Sequence, residues 1–287
     1  MKTESIKTRQ AWEKLHNRLR QENLIPEDQV AAGSRLVNPL LRIAAAVLVL
    51  LGIGAIIYVT TLRKPASEMV QLSNSHGDHT LIKTLADGSV IYVAQSALFS
   101  YPEEFQTGER NVQLVGEAFF DVASNPGSPF IIETDDALIQ VLGTAFNVNS
   151  TYGRALELSV DRGAVKVTLK SDLSNSEMVM AGEKITSVKN SLVKSKYTPG
   201  EADYWYKKRM HFKDEMLQNI IIVLNRNFNT TFVLADKEIG KHRLTVTFDN
   251  ETAETMTDLI CLTLNLQSQT IDGAIILSKN RESAKQN

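Results

Sequence analysis

Twenty consecutive residues without a charge, Ile43 to Leu62, constrain this 287-residue chain more than any other feature. The run reads IAAAVLVLLGIGAIIYVTTL. At about 1.5 Å of rise per residue, a helix of that length reaches roughly 30 Å, the thickness of a bilayer's hydrocarbon core. Asn38 and Pro39 suit the N-cap and the first helical position, and Arg42 and the pair Arg63–Lys64 bracket the run. A cleaved leader would open at the N-terminus with a shorter apolar core, whereas 42 mixed residues come first here. The expectation is a single transmembrane helix within residues 39–62. Charge beside the span is nearly even, with Arg35 and Arg42 before it and Arg63 and Lys64 after it. Lys2, Lys7, Arg9, Lys14, Arg18 and Arg20 weight the N-terminal side, so residues 1–38 are expected in the cytoplasm and residues 63–287 outside it.

The head is too short to enclose a core of its own. Its stretch QAWEKLHNRLRQENLIPED reads as a short amphipathic helix, with Trp12, Leu15 and Leu19 at i, i+3 and i+7 and Pro26 limiting it just beyond Leu24 and Ile25. The apolar stripe can lie on the membrane surface or dock into a partner protein.

From Leu81 to Lys194 the pattern changes to short strands and turns. LADGSVIYV sets Asp87-Gly88, a tight-turn dipeptide, between apolar runs. In RNVQLVGEAFFDV, Val112, Leu114, Ala118, Phe120 and Val122 share one face, while Gln113, Glu117 and Asp121 share the other. PFIIET, ALIQVLGTAFNVNS, LELSVDRGAVKVTL and EMVMAGEKITSV continue with similar lengths and punctuating glycines. This predicts an all-β, sandwich-like domain. Glu117 and Asp121 invite comparison with the paired carboxylates of glycosidases. Four residues of extended strand cover roughly 13 Å, too far for a pair that works at about 5–9.5 Å.

Other chemistry is sparse. His76 and His79, in SHGDH, sit in a Ser/Asn/Gly loop without further ligands at a recognisable spacing, and His16, His211 and His242 are scattered. Cys261 is the single cysteine, so no internal disulfide forms, and its apolar helical setting reads as a buried small side chain. No phosphate-binding glycine loop, nucleophile elbow or paired-cysteine zinc motif occurs. A net charge of −2 gives no reason to expect nucleic acid. No catalytic residue, cofactor or metal is expected.

The last eighty or so residues repeat with a period of 36. HFKDEMLQNIIIVLNRNFNTTFVL from His211 aligns with TFDNETAETMTDLICLTLNLQSQT from Thr247, matching Phe212 with Phe248, Asp214 with Asn250, Val223 with Leu259 and Phe228 with Leu264. Asp214 and Asn250 read as caps of helices that start at once. The helices are expected to bury Leu217, Ile220, Ile221 and Leu224 in one copy, and Ala253, Met256, Leu259 and Ile260 in the other. TTFVLA, RLTVTF, LQSQTI and AIILSK complete two β-α-β units sharing one small sheet, a small α+β domain suited to recognition by a sheet edge or a helix face.

LADGSVIYVAQSALFSYPEEF, RNVQLVGEAFFDVASNPGSPFIIET and VLGTAFNVNS resemble the signature segments of FecR-family transmembrane anti-sigma factors, and VDRGAVKV and MAGEK fit the family's later strand–turn motifs. The C-terminal repeat, with DYWYKKRMHFKDEMLQNIIIVLNRNFN opening on Trp205, is similar to the domain that follows in Bacteroidetes-type members. That domain is related to the short N-terminal domain of secretins and TonB-dependent receptors. AWEKLHNRLRQENLIP looks like the short head of the subgroup, which here holds Trp12 alone where better-known members have a longer head with several tryptophans.

The resemblance implies a relay across the inner membrane. Residues 1–38 would be a cytoplasmic head binding an extracytoplasmic-function sigma factor, and 39–62 the transmembrane helix; the contact expected from the head's own apolar pattern is Trp12, Leu15, Leu19, Leu24 and Ile25. Residues 63–80 would be a linker, 81–195 a periplasmic FecR β-domain, 196–209 a connector, 210–280 the α+β domain and 281–287 a tail. The outer part would read the signalling domain of an outer-membrane TonB-dependent receptor. Two other functions fit a β-rich anchored exterior: a periplasmic glycan-binding protein, and a component of an envelope secretion or export apparatus.

Overall fold

A computed structural model describes residues 4–22, 47–54, 68–74, 78–198 and 205–280, and the chain divides into two units, Met1–Pro65 and Ala66–Asn287. In the first unit, α1 spans Glu4–Gln21 and so begins before the apolar stripe does. It adds residues 4–9 to the stretch read as helical. The second helix, α2, covers residues 47–54. Among the described residues no helix is long and apolar enough to cross a membrane. The rest of the expected span, residues 43–46 and 55–62, lies outside them.

Among the described residues the second unit opens with thirteen strands: β1 (Met69–Ser73), β2 (Thr80–Thr84), β3 (Val90–Val93), β4 (Leu98–Pro102), β5 (Arg110–Asp121), β6 (Phe130–Glu133), β7 (Ala137–Val141), β8 (Ala145–Ser150), β9 (Glu157–Arg162), β10 (Ala164–Leu169), β11 (Ser176–Met180), β12 (Glu183–Val188) and β13 (Ser191–Lys196). β1 falls in the stretch read as a linker and pairs antiparallel with β4. The region is mostly β, as expected.

Its two layers, however, are not separate sheets. One runs β1-β4-β5-β6-β7-β10-β11, the other β13-β12-β9-β8-β5-β3-β2, and β5 belongs to both. Residues Arg110–Val115 pair with β4 and β6, whereas Gly116–Asp121 pair with β3 and β8. The expected sandwich is therefore one hydrogen-bonded sheet folded over its core, nearly closed and barrel-like.

The fold-over happens at Gly116. Its φ is +98°, and a Cβ there would stand 2.9 Å from Cα and Cβ of Ala97. Only glycine takes both the backbone angle and the close approach without strain. Alternation along β5 then aims Val112, Leu114, Ala118 and Phe120 inward, against Phe99, Phe130 and Phe146.

The C-terminal part continues this sheet. After α3 (Trp205–Lys208) come β14 (Arg209–Met216), α4 (Leu217–Asn227), β15 (Thr231–Leu234), a 3-10 turn (Ile239–Lys241), β16 (Arg243–Asp249), α5 (Ala253–Leu264), β17 (Leu266–Ile271) and β18 (Ala274–Lys279). β14 pairs parallel with β2 through Met210–Thr80, His211–Leu81 and Phe212–Ile82, and β16 extends the sheet beyond it.

In the β14–β16 ladder His211 faces Thr247, its own counterpart one repeat later. A strand pair in which an element meets its own copy lies on a local two-fold axis, so the sequence repeat is a structural repeat. Asp214 and Asn250 are both left-handed, with φ of +47° and +57°. They are not the N-caps. Those are Met216, which makes no side-chain cap bond, and Thr252, whose hydroxyl accepts from the Thr255 amide at 3.3 Å. An N-cap has extended backbone; Asp214 and Asn250 instead supply the left-handed bend just before it, which short polar side chains tolerate.

The strands of the repeats are also dealt to two sheets rather than one. β15, β18 and β17 form a separate three-stranded sheet, with β15 parallel to β18 and β17 folded onto β18 through Asp272-Gly273. Each helix packs on strands of both sheets, α4 on β14 and β15, α5 on β16 and β17. Leu217, Ile220, Ile221, Leu224, Met256 and Ile260 are buried as predicted, while Ala253 and Leu259 are half-buried at the margin. This second core also takes in Ile82, Val90, Tyr92 and Phe119 from the β-domain.

Candidate interaction site

Three surfaces of the chain present groups suited to recognition. The first is α1. Trp12 is 69 % and Leu15 47 % exposed, with Leu19 half-buried on the same stripe. Leu24 and Ile25, expected to extend that surface, lie outside the described residues. On α2, Leu48, Val49, Leu50 and Leu51 are all exposed, so this helix is apolar all round and uncovered. Such a helix is stable only inside a core or a membrane.

The second is the seam between the β-domain and the C-terminal part, which the sequence left unread. Tyr206 stacks on Phe119 at 3.9 Å between ring centroids, and Tyr92 closes on both rings. The Tyr92 hydroxyl accepts from Asn227 Nδ2 at 2.8 Å, and burial pushes its pKa far above the usual phenol value. Lys83 Nζ stands 2.8 Å from Glu215 Oε2, a carboxylate only 2 % exposed that also accepts from Asn219 Nδ2 at 2.6 Å.

Asp121, one of the two carboxylates that suggested catalysis, ties the same seam. Its Oδ1 meets Arg162 at 2.7 Å and its Oδ2 meets Arg226 of α4 at 3.1 Å, while Arg226 Nη2 donates to the Gly88 carbonyl at 2.9 Å. Glu117 is engaged elsewhere, accepting from Asn147 at 2.8 Å and Asn149 at 3.3 Å. Because Arg226 is partly solvated and Asp121 keeps Arg162, Arg226→Ala should lower stability by only about 1 kcal/mol, shrinking further at high salt; urea unfolding at two ionic strengths checks this.

At the open end of the seam the His79 and His211 rings lie 4.5 Å apart, centroid to centroid. His211 Nδ1 is 2.7 Å from the Thr247 hydroxyl, and desolvation, with the charges of His79 and Lys213, holds His211 below the ordinary histidine value. Arg209 pairs with Asp78 and, at 3.1 Å, with Asp249. His76 lies outside the described residues. Among those described, no group of three or more His, Cys, Asp or Glu side chains is placed to hold a metal.

The third surface is the small outer sheet. β17 is an edge strand whose residues Gln267 to Ile271 are exposed and uncharged, and Leu262 on the neighbouring α5 is 81 % exposed. Few natural edges are left so unguarded. Cys261 is half-buried, and desolvation raises its thiol above the usual range despite a hydrogen bond with Ser268, which leaves it little thiolate.

Comparison with known proteins finds two family matches. A family profile described as FecR protein matches residues 77–166, and one described as FecR, C-terminal matches residues 209–277. Together they take in more than half of the chain. Crystal structures at 2.50 and 1.65 Å of a candidate anti-sigma factor from Parabacteroides distasonis ATCC 8503 are 25 % identical to it, with a TM-score of 0.45. They cover 74 % of this chain and 100 % and 99 % of their own. No curated protein matches it.

Proposed function

Because the chain belongs to the FecR family, we propose that it is a single-pass relay that holds an extracytoplasmic-function sigma factor at the inner membrane. The family is one of anti-sigma factors, not of enzymes, and membership implies a sigma factor as partner. FecR-family proteins are typically found in the inner membrane. In this reading residues 1–38 are the cytoplasmic grip, 39–62 cross the bilayer, and the rest stands in the periplasm. There it answers to the signalling domain of an outer-membrane TonB-dependent receptor.

The observation that carries the reading is the bare stripe of α1, where Trp12 and Leu15 are exposed and Leu19 adjoins them. Covering these side chains would bury roughly a few hundred Å². At about 25 cal/mol per Å² the gross gain is several kcal/mol before association costs reduce it. Such a hold is firm enough to keep a sigma factor and weak enough to release it. The uncovered apolar girth of α2 supports the membrane crossing. The unguarded edge of β17 and the exposed Leu262 offer strand addition and an apolar contact to a receptor domain.

Replacing Trp12 and Leu15 together by glutamate should abolish capture of the cognate sigma factor in a pull-down from detergent extract, with membrane insertion unchanged. Undiminished capture by the double variant would remove the contact from α1.

A further inference from the structure

We propose that His79 and His211 together form a binding site for a borderline divalent d-block cation, such as zinc, nickel or copper(II), laid across the seam between β2 and β14. The sequence set His79 aside for want of further ligands; the fold brings one from the C-terminal part. The rings are tilted by 52° with centroids 4.5 Å apart. With metal–nitrogen bonds of about 2.0–2.1 Å, two imidazoles on one ion have centroids about 4.5–5.5 Å apart, and the observed spacing falls at the near end of that range.

The surroundings suit the same use. A histidine ligand usually donates its other ring nitrogen to an oxygen, which fixes the tautomer and leaves a lone pair for the metal. His211 Nδ1 has such a partner in the Thr247 hydroxyl at 2.7 Å, so Nε2 is the atom left to coordinate. Both rings are half-buried, accessible yet held. Of the basic residues two positions from His211 on β14, Arg209 is offset by Asp78 and Asp249, while Lys213 sets an opposing positive charge beside His211. Imidazole pairs favour zinc, copper and nickel, whereas calcium and magnesium need oxygen ligands that these residues do not supply. Two protein ligands leave the remaining positions to water.

A shared ion would matter because the strand ladder within the seam is short. β2 and β14 meet through three register pairs. A cation held by His79, just ahead of β2, and His211, within β14, would pin the C-terminal part to the β-domain, and anything that binds only the folded seam stabilises it.

Calorimetric titration of the full-length chain in detergent, without a polyhistidine tag, tests this with zinc chloride or nickel chloride alone. One saturable site per chain is expected, with no heat from magnesium chloride. His79→Ala and His211→Ala should each abolish saturable binding, Thr247→Val should weaken it about 10–100-fold, and His242→Ala should leave it unchanged. Melting in EDTA confirms that each variant folds, and His211→Gln replaces His211→Ala if the latter does not. The melting temperature of the wild type should rise with zinc and that of the histidine variants should not. Absence of saturable binding by the wild type, or binding that survives loss of either imidazole, overturns the proposal. Capture of a sigma factor by α1 is read separately and is unaffected by either result.

Discussion

Replacing Arg110 by methionine should lower the unfolding free energy by about 3–5 kcal/mol, the range for breaking a buried ion pair from one side. Arg110 is only 2 % exposed. Its Nη1 lies 2.7 Å from Asp87 Oδ2 and donates to the Ala123 carbonyl at 2.9 Å, while Nε donates to the Ser128 carbonyl at 2.9 Å. The guanidinium also stands 5.4 Å from the centre of the Phe130 ring. Asp87 accepts from the amide and hydroxyl of Ser89, and the Ser89 hydroxyl accepts from the Ala123 amide at 3.0 Å. The ring of bonds thus closes on Ala123, joining the β2–β3 turn to the loop that follows β5. Methionine fills much of the space but leaves the Asp87 carboxylate without its counter-charge and the Ala123 and Ser128 carbonyls without the guanidinium donor. A lysine keeps the charge and loses the fork, so Arg110→Lys should fall between wild type and methionine.

The measurement is urea unfolding of the full-length protein followed by fluorescence. Asp87→Asn combined with Arg110→Met should be less damaging than the sum of the two single changes, because the pair acts as a unit. Lys170→Ala, which breaks an exposed pair with Glu133, should cost under about 1 kcal/mol in the same assay. If Arg110→Met were no worse than Lys170→Ala, the guanidinium would be a passenger in the core rather than its tie.

Arg110 was visible in the sequence as an ordinary cation, though its spacing carried the clue. It is in phase with Val112 and Leu114, and on an alternating strand that parity points inward. The same period-two reading correctly placed the inward face of β5, and the 36-residue repeat located both helices of the C-terminal part. The seam was lost because strand pairing between β2 and β14 leaves no mark at any fixed spacing. Still, VIYV was a trace of it. All four residues of β3 are buried, two toward each core, and such continuous runs signal a strand covered on both sides. Phe119 and Tyr92, out of phase with the first core, belong to the second. Asp214 and Asn250 have the residue type of a helix start but occupy the bend before the cap, a distinction that composition does not carry. The two histidines could not be paired from sequence for the same reason as the strands that carry them.

The fold-over of the sheet makes the second large prediction. Gly116→Ala should cost about 3 kcal/mol, and Gly116→Val should leave the β-domain unfolded. Two terms contribute. A residue with a side chain held at φ of +98° carries strain of about 1–3 kcal/mol. The added Cβ would also meet Cα and Cβ of Ala97 at 2.9 Å, and forcing an atom into a packed site costs about 1–3 kcal/mol more. Gly88 separates the two. It has a similar φ of +81° but open space where a Cβ would go, so Gly88→Ala should show the strain alone. Ala97→Gly should recover part of the loss in Gly116→Ala and not all, because the Ala97 Cα remains in the way. Thermal melting of the four variants settles the ordering. Equal losses for Gly116→Ala and Gly88→Ala would mean that β5 crosses between layers without needing Ala97 close by. Unequal losses tie the crossing to that contact, and with it the single strand on which both layers hang.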